Sequence, residues 1–561
     1  MEGRHQQPSR RWMAAVALAV VAVSTVPYAA GTLAQTPGVR FVGAVFDLED
    51  YNSHLAKMWQ GYRGEWRYQL LFTPEEHAGA YLQTFYVALG HLARLLGWGL
   101  PLTYHLARVV AGVALLLAAY WFISLFAVGE VRRVAFLLVA TSSGLGWLAE
   151  IVRPTPAGGI SPIDFWLVDA YTFFSLFTFP HFCAAIALLL LLYGVLLRLA
   201  EEAECGMRNA ECGMRTRYFV SPMRVVWVVL ISWGLGLIHP YALLLADLVP
   251  ALYLAWWLVA KRRLPVSLLI ALGVMGIAQA PLLLYDYRVF TTNPVFQAWS
   301  AQNVTLSPPP LYYCLGYGLV AVLAVWGIRA ALRASPRAPF LLVWVTAAFV
   351  LAYLPWGLQR RFVEGIQVGL SVLAGYGLVQ GLMPALARPL GRVGRFLRCD
   401  PRRVSWTAQA LILTLAALSN LYLVATYTFA AATRHPTLFR TADEVAAAGW
   451  LATHAGWDET VLAAYEDGGW IAGAIGQRVV VGHWAETVGF EAKRRQVAAF
   501  YAADTPDADR RAWLERWQVH YVYVGPRERA LGAFDPAAAD YLEPVFWRGQ
   551  AAVFRVRRRE P

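Results

Sequence analysis

The chain has 561 residues, of which 58% are hydrophobic and only 15% charged, where soluble domains carry roughly 25% charge. A mean hydropathy of +0.45 excludes a disordered chain and a wholly water-soluble globule, because that much apolar surface is hidden only in lipid. The net charge of +12 does not point to nucleic acid: the basic residues fall between apolar stretches, where they act as topology signals.

A bilayer crossing takes about 20 mostly apolar residues. Eleven stretches qualify, near 12–34, 103–127, 134–151, 179–199, 223–239, 241–260, 264–284, 311–330, 338–356, 363–384 and 405–430. The first follows Arg10 and Arg11 as a secretory signal would, but its apolar run is long for one, and it is read as a retained helix. Residues 81–96 are apolar yet carry Gln83, His91 and Arg94, which suits a helix lying in the interface. Counting that segment as a crossing would reverse everything after it. Left uncounted, it puts the Arg132–Arg133 pair, Arg198 to Arg224, Lys261 to Arg263, Arg329 to Arg337 and Arg388 to Arg403 on one side, as the positive-inside bias requires. The N-terminus is then inside and the C-terminus outside. Four outer regions follow: 35–102, 152–178, 285–310 and the chain from about 432. No internal inverted repeat is visible, which weighs against a secondary transporter.

Five cysteines, Cys183, Cys205, Cys212, Cys314 and Cys399, suggest no disulfide framework. Cys205 and Cys212 belong to a tandem repeat (Ala-Glu-Cys-Gly-Met-Arg from Ala203 and again from Ala210), read as a neutral loop duplication. From Thr433 the chain is more polar. Helical spacing covers 442–453, 491–501 and 507–517, and strand patterns cover 460–464, 478–481, 519–524, 544–547 and 551–556, an alternation that predicts a small α/β domain. The expected fold is a polytopic α-helical membrane protein with about 11 transmembrane helices, residues 1–431, and a C-terminal extracytoplasmic α/β domain, residues 432–561.

Chemistry is sought on the outer side. The first outer loop opens with Phe46-Asp47-Leu48-Glu49-Asp50-Tyr51-Asn52, three carboxylates beside a membrane surface. A helix start with Asp50 as N-cap explains them structurally. The residues that follow, among them His54, Lys57, Tyr62, Arg63 and Trp66, are aromatic, amide and ionic groups of the kind that contact sugars. This order of parts (a first span, a long outer loop led by acids, about ten further spans and an outer C-terminal domain) resembles the GT-C superfamily of polytopic glycosyltransferases that use lipid-linked sugars. Its members include oligosaccharyltransferase catalytic subunits, protein O-mannosyltransferases and aminoarabinose transferases. The resemblance implies that an acid of this loop is catalytic, Asp50 first and Glu49 or Asp47 after it. It also implies a second acid in the next outer loop for the acceptor or a metal, which Asp169 supplies; helix capping accounts for Asp169 equally well. His54 and His239 join it as acceptor or metal candidates.

His239-Pro240-Tyr241 marks an outer turn, and Asp247, about two turns into the next span, is a costly charge whose partner is expected to be His239 or a backbone group. Gln359-Arg360-Arg361-Phe362 sets two arginines at an outer membrane edge against the charge bias. Guanidinium groups bind phosphate bidentately, and the resemblance assigns at least one of Arg360 and Arg361 to the donor phosphate; snorkelling to headgroups is the structural alternative. In the tail, Tyr465 to Trp470 and Gly482 to Glu486 are expected at strand ends facing one cleft, for acceptor positioning or packing.

The expected activity is an inverting transfer of a sugar from a polyprenyl-phosphate-linked donor to an acceptor, on the outer face of a bacterial cytoplasmic membrane. A divalent cation, Mg or Mn, is optional and no nucleic acid is involved. The rivals are a transporter or flippase of lipid-linked sugars, which predicts ionisable residues deep in several spans, and a non-catalytic membrane scaffold.

Overall fold

The structure, a computed structural model, describes residues 10–156, 159–211 and 221–557, the side chains of 203–211 excepted. The side chains of the tandem repeat's first copy, Arg208 among them, lie outside that description, as do residues 212–220 with Arg215 and Arg217. Among the described residues eight helices are long and apolar enough to cross a membrane: Arg10–Leu33, Leu100–Ile123, Pro180–Glu202, Ala242–Lys261, Val266–Thr292, Pro310–Ala334, Gln359–Phe396 and Pro401–Ala432. A ninth arises if Gly129–Thr141 and Gly146–Val152, bent by 52°, form one broken span. The chain is a multi-pass membrane protein, and among the described residues eight or nine of the eleven expected crossings meet the length criterion. Two of the expected crossings are the shorter helices Pro222–Ile238, 17 residues, and Ala338–Leu351, 14 residues. An apolar window in the sequence runs past the helix end in both cases. His239 already has non-helical backbone before Pro240, and the window 338–356 includes Pro355, which no helix interior tolerates well. Helix Thr84–Leu96, with 13 residues, is about 20 Å long at 1.5 Å per residue, short of the ~30 Å hydrocarbon layer.

By contacts the chain divides into two compact units: Met1–Val26 with Arg108–Leu283 and Thr305–Thr426, and Pro27–Ala107 with Leu284–Val304 and Tyr427–Pro561. Polar character begins near 432, but the tail packs as one body with the first outer loop and with 284–304.

In the first unit, polar groups within apolar helices satisfy themselves locally, as a dry environment demands. Ser24 Oγ donates to the carbonyl of Val21 at 2.8 Å. Buried Arg108 donates to the Leu176 carbonyl at 2.8 Å and to the Ser24 hydroxyl at 3.3 Å. Helix Ile366–Tyr376 is buried on all sides. Small residues let it pack at backbone range: Gly375 lies against Val131 and Ala135 of one neighbour, and Gly327 of another helix lies against the Leu373 carbonyl. The break at 142–145 is clamped. Gly144 and Gly146 both donate their N–H to Asp164 Oδ2 at 3.0 Å, and the Gln367 and Asn420 amides donate to the Ser142 carbonyl at 2.7 and 3.1 Å.

In the second unit, β1 (Val39–Phe41) pairs antiparallel with β2 (Phe439–Thr441), so the first loop and the tail share a ribbon. A five-stranded sheet has β3 (Thr460–Leu462), β4 (Arg478–Val479), β5 (Val519–Val524), β6 (Leu542–Arg548) and β7 (Ala551–Val556) in the order β4-β3-β5-β7-β6. β3 is parallel to both its neighbours, while β7 runs antiparallel to β5 and β6. Side chains alternate along β5: Tyr521 and Tyr523 join one apolar layer with Leu451 and Ile471, and Val522 and Val524 join the other with Val497 and Phe500. The α/β reading of the tail is thereby realised, with helices Ala442–His454, Phe490–Tyr501 and Asp507–Arg516 where helical spacing placed them. Helix Leu48–Arg63, polar by sequence, is buried over most of its length. It crosses Thr84–Leu96 at Gly61 and Gly90, which touch the carbonyls of Val87 and Met58, and meets helix Tyr465–Ile475 at Gly473, which touches Asn52.

Candidate functional site

The acidic motif sits at the front of helix Leu48–Arg63, wholly inside the second unit. Asp47, not Asp50, is the N-cap. Its backbone is left-handed (φ 45°) and its side chain accepts the Asp50 N–H at 3.2 Å; aspartate tolerates this region better than most residues. Capping by Asp47 frees the Asp50 carboxylate for another partner. That partner is His483, whose Nε2 lies 2.9 Å from Asp50 Oδ1. Glu49 Oε1 accepts the Trp484 N–H at 2.5 Å. Two of the three acids are thus held by the segment that follows β4.

His483 is buried, and its Nδ1 accepts the backbone N–H groups of Ala485 and Glu486, both at 3.2 Å. The ring therefore presents Nε2–H to Asp50. Burial opposes charge on this ring, the Asp50 hydrogen bond and the carboxylates of Glu486, Asp50 and Glu49 favour it and raise its pKa, and the two N–H groups on Nδ1 keep the ring's proton on Nε2. The Asp50 side chain remains 40% exposed while His483 is 5% exposed, so an open acid is fixed by a closed ring.

Beneath this pair lies a buried charge network. Glu486 Oε1 accepts from Lys57 Nζ at 2.9 Å and Ser53 Oγ at 2.7 Å, and Oε2 accepts the Tyr68 hydroxyl. Burial raises the Glu486 pKa, but the charge of Lys57 first, with the neighbouring His483 ring and the Tyr68 bond, reverses this and holds it at about 2. Folding therefore makes Glu486 a stronger acid than its usual 4.5. Its stabilisation, about 3 kcal/mol at most, is complete above pH 4.5 and lost as pH falls toward 2. Thermal unfolding should show Glu486→Gln less stable than wild type at pH 7, with the gap narrowing below pH 4.5 and closing as pH falls to about 2. His54, one turn past Asp50, stacks on Tyr86 at 3.9 Å, and burial, then the Lys57 charge, drives its pKa well below the ordinary value.

The tail motifs sit where strand-end residues were expected: Tyr465 opens a helix after β3, and Gly482 and His483 follow β4. The outlet of parallel strands is a common ligand position. A cavity of about 560 Å³ opens there, lined by Glu49, Asn52, Arg440, Tyr465, Glu466 and Trp470 among others.

The remaining candidates belong to the first unit. Arg361 Nη1 lies 3.4 Å from Asp169 Oδ2, and the Asp169 carbonyl accepts the Gly365 N–H at 3.2 Å. Arg360 stacks over Trp166 at 5.1 Å and Arg361 over Phe182 at 5.8 Å. His239 is not paired with Asp247. Its Nδ1 lies 2.8 Å from Glu364 Oε2, while Asp247 accepts from the Gln279 amide at 2.9 and 3.2 Å. Reading along the chain looked for His239's partner within the next helix; it comes instead from 125 residues away.

Glu364 went without a role in the sequence reading, Lys57 was read only among the loop's sugar-compatible groups, and His483 and Glu486 only as packing or acceptor candidates. An acid three residues beyond a histidine, just after a short apolar strand pattern, was the local sign of a site in the tail. Among the described residues no group of three or more His, Cys, Asp or Glu side chains is arranged to hold a metal. Asp50 and Glu49 are committed to His483 and a backbone N–H, and Asp169 to Arg361, so no step is routed through a cation.

No protein-family model matches the chain, and no curated protein matches its sequence. Solved structures do. The oligosaccharyltransferase of Archaeoglobus fulgidus, tethered to an acceptor peptide, is 14% identical with a TM-score of 0.55, over 92% of this chain and 69% of that one. ArnT from Cupriavidus metallidurans bound to undecaprenyl phosphate is 11% identical with a TM-score of 0.51, over 98% of each chain. The arabinofuranosyltransferase AftD from Mycobacteria is 14% identical with a TM-score of 0.50, over 98% of this chain and 42% of that one. The chain has the GT-C-type fold that the order of its parts resembles.

Proposed function

We propose that the protein is a membrane glycosyltransferase that moves a sugar from a polyprenyl-phosphate-linked donor to a hydroxyl acceptor. The observation that carries this reading is Asp50, an open carboxylate oriented by a buried histidine at the head of a buried helix. Asp50 takes the acceptor's proton as the new glycosidic bond forms; direct displacement inverts the anomeric centre. Asp47 and Glu49 hold the turn that presents Asp50. Arg361, with Arg360, neutralises the departing phosphate, where negative charge grows, and Asp169 steadies Arg361. The fold shared with ArnT bound to undecaprenyl phosphate supports a lipid-linked donor. The reaction takes place on the outer face of a bacterial cytoplasmic membrane, with the N-terminus inside, residues 1–431 forming the membrane part and 432–561 outside, a topology supported by the Lys/Arg clusters between spans.

The test is transfer of labelled sugar from a polyprenyl-phosphate donor in membranes carrying the full chain. Arg361→Ala should lower transfer by about 10² to 10³, the usual cost of one group that stabilises developing anionic charge. Full transfer by that variant removes Arg361 from the reaction. Movement of the lipid across liposomes without any transfer makes the protein a flippase instead.

A further inference from the structure

The pairing of His239 with Glu364 has no part in the roles given above. His239 ends helix Pro222–Ile238, and Glu364 follows the two arginines by three residues, its N–H donating to the Arg361 carbonyl at 3.4 Å. Glu364 is fully buried and His239 is 6% exposed. Burying a carboxylate against an imidazole is costly, and the cost fixes this pair: Glu364 Oε2 accepts the Nδ1–H hydrogen bond at 2.8 Å, while Glu364 Oε1 has no other partner among the described residues. With that proton committed, the other ring nitrogen, Nε2, presents a lone pair. Among the described residues Nε2 has no hydrogen-bond partner, and it is not sealed from solvent. A buried ring held by one edge with an open acceptor on the other is built to receive a hydrogen-bond donor from a ligand.

The surroundings narrow the ligand. The His239 ring lies against Phe182 at 5.4 Å, and Arg361 stacks over the same ring at 5.8 Å. His181 and Tyr241 flank His239 at 5.8 and 5.6 Å. An acceptor and a guanidinium that pack on one buried aromatic ring match a molecule carrying an anion and a hydroxyl a short distance apart. A sugar phosphate has that character: its phosphate meets the cation and a hydroxyl donates to the acceptor.

We infer that His239, oriented by Glu364, accepts a hydrogen bond from a hydroxyl on the donor's sugar and so selects which sugar is used. This rests on the reading that Arg361 binds the donor phosphate. A site built around a hydroxyl discriminates strongly against ligands lacking it, because its own polar group is then left unpaired.

The experiment measures binding to the full-length protein in detergent. The probes are inorganic phosphate, bare farnesyl phosphate, and a panel of farnesyl phosphates carrying different hexoses and pentoses. Wild type should bind at least one sugar-bearing lipid about tenfold tighter than bare farnesyl phosphate, as one hydrogen bond is worth. His239→Phe should bring that lipid down to the affinity of bare farnesyl phosphate. His239→Gln, which returns an acceptor oxygen, should restore part of the difference. Glu364→Ala, removing the positioning residue, should narrow the gap in the same direction, and Glu364→Gln, still an acceptor for Nδ1–H, should keep most of it. Arg361→Ala should weaken bare and sugar-bearing lipids alike. If Arg361→Ala leaves both unchanged, the phosphate reading falls. If Arg361→Ala weakens both while His239→Phe keeps the sugar-dependent difference, only the role of His239 is overturned, and a wild type that binds all the lipids equally overturns it too. Equal binding of inorganic phosphate and farnesyl phosphate would show that the anion alone is recognised, against a sugar-reading site.

Discussion

Replacing Asp50 by Asn is expected to cut sugar transfer by about 10² to 10⁴, the range over which a positioned general base contributes. The substitution is nearly isosteric, and an asparagine Oδ1 still accepts the Nε2–H of His483, now 2.9 Å from the carboxylate. The turn capped by Asp47 is untouched, because the Asp50 contribution to it is a backbone N–H. Loss of rate with an unchanged melting temperature would therefore report the missing base rather than a damaged fold. His483→Phe should cost less, about 10-fold, since it removes orientation and not the base. Adding it to Asp50→Asn should bring little further loss, because groups that act as a unit are not additive. If Asp50→Asn transfers sugar at the wild-type rate, the acid of the first loop is structural.

Lysine 57 should matter to stability more than any single apolar contact around it. The Lys57 and Glu486 side chains are each 3% exposed and 2.9 Å apart. Removing one member of such a pair leaves the other charge stranded, a loss of about 3–5 kcal/mol. Lys57→Ala would strand the Glu486 carboxylate with only the Ser53 and Tyr68 hydroxyls. The double variant Lys57→Met with Glu486→Gln should recover most of that loss, because an uncharged pair of similar size has no ion to desolvate. Thermal unfolding of the four species of this cycle isolates the coupling. A coupling below about 0.5 kcal/mol would mean that the pair is hydrated in solution.

Much of the fold could be read along the chain because the relevant signals are local. An apolar stretch of bilayer length, a period of two or of 3.6 residues and the placement of arginines are all decided within a window of about 20 residues. Eight of the expected crossings meet the length test, and the tail shows its strands where the pattern puts them. Errors came at helix ends, where composition continues but backbone geometry does not. The 134–151 stretch is apolar on average, yet the helix breaks at its Thr141-Ser142-Ser143-Gly144 segment, and Asp164, 20 residues beyond Gly144, supplies the hydrogen bonds that make the break affordable.

The site was legible only in part, for the same reason. The carboxylates at 47, 49 and 50 stand out in the sequence, but which one caps the helix depends on a left-handed backbone at Asp47 that composition does not reveal.

The sequence by itself determined that the chain lives in a membrane, that an acidic loop follows its first helix and that an α/β tail ends it, since hydrophobicity and periodicity act between near neighbours. Tertiary structure alone decided the partnerships. Asp50 meets His483 across 433 residues and Lys57 meets Glu486 across 429, through a helix whose polar surface has no meaning until the tail closes over it. A buried ion or an oriented acid exists only where distant groups satisfy it, so its identity belongs to the packing and not to the local code.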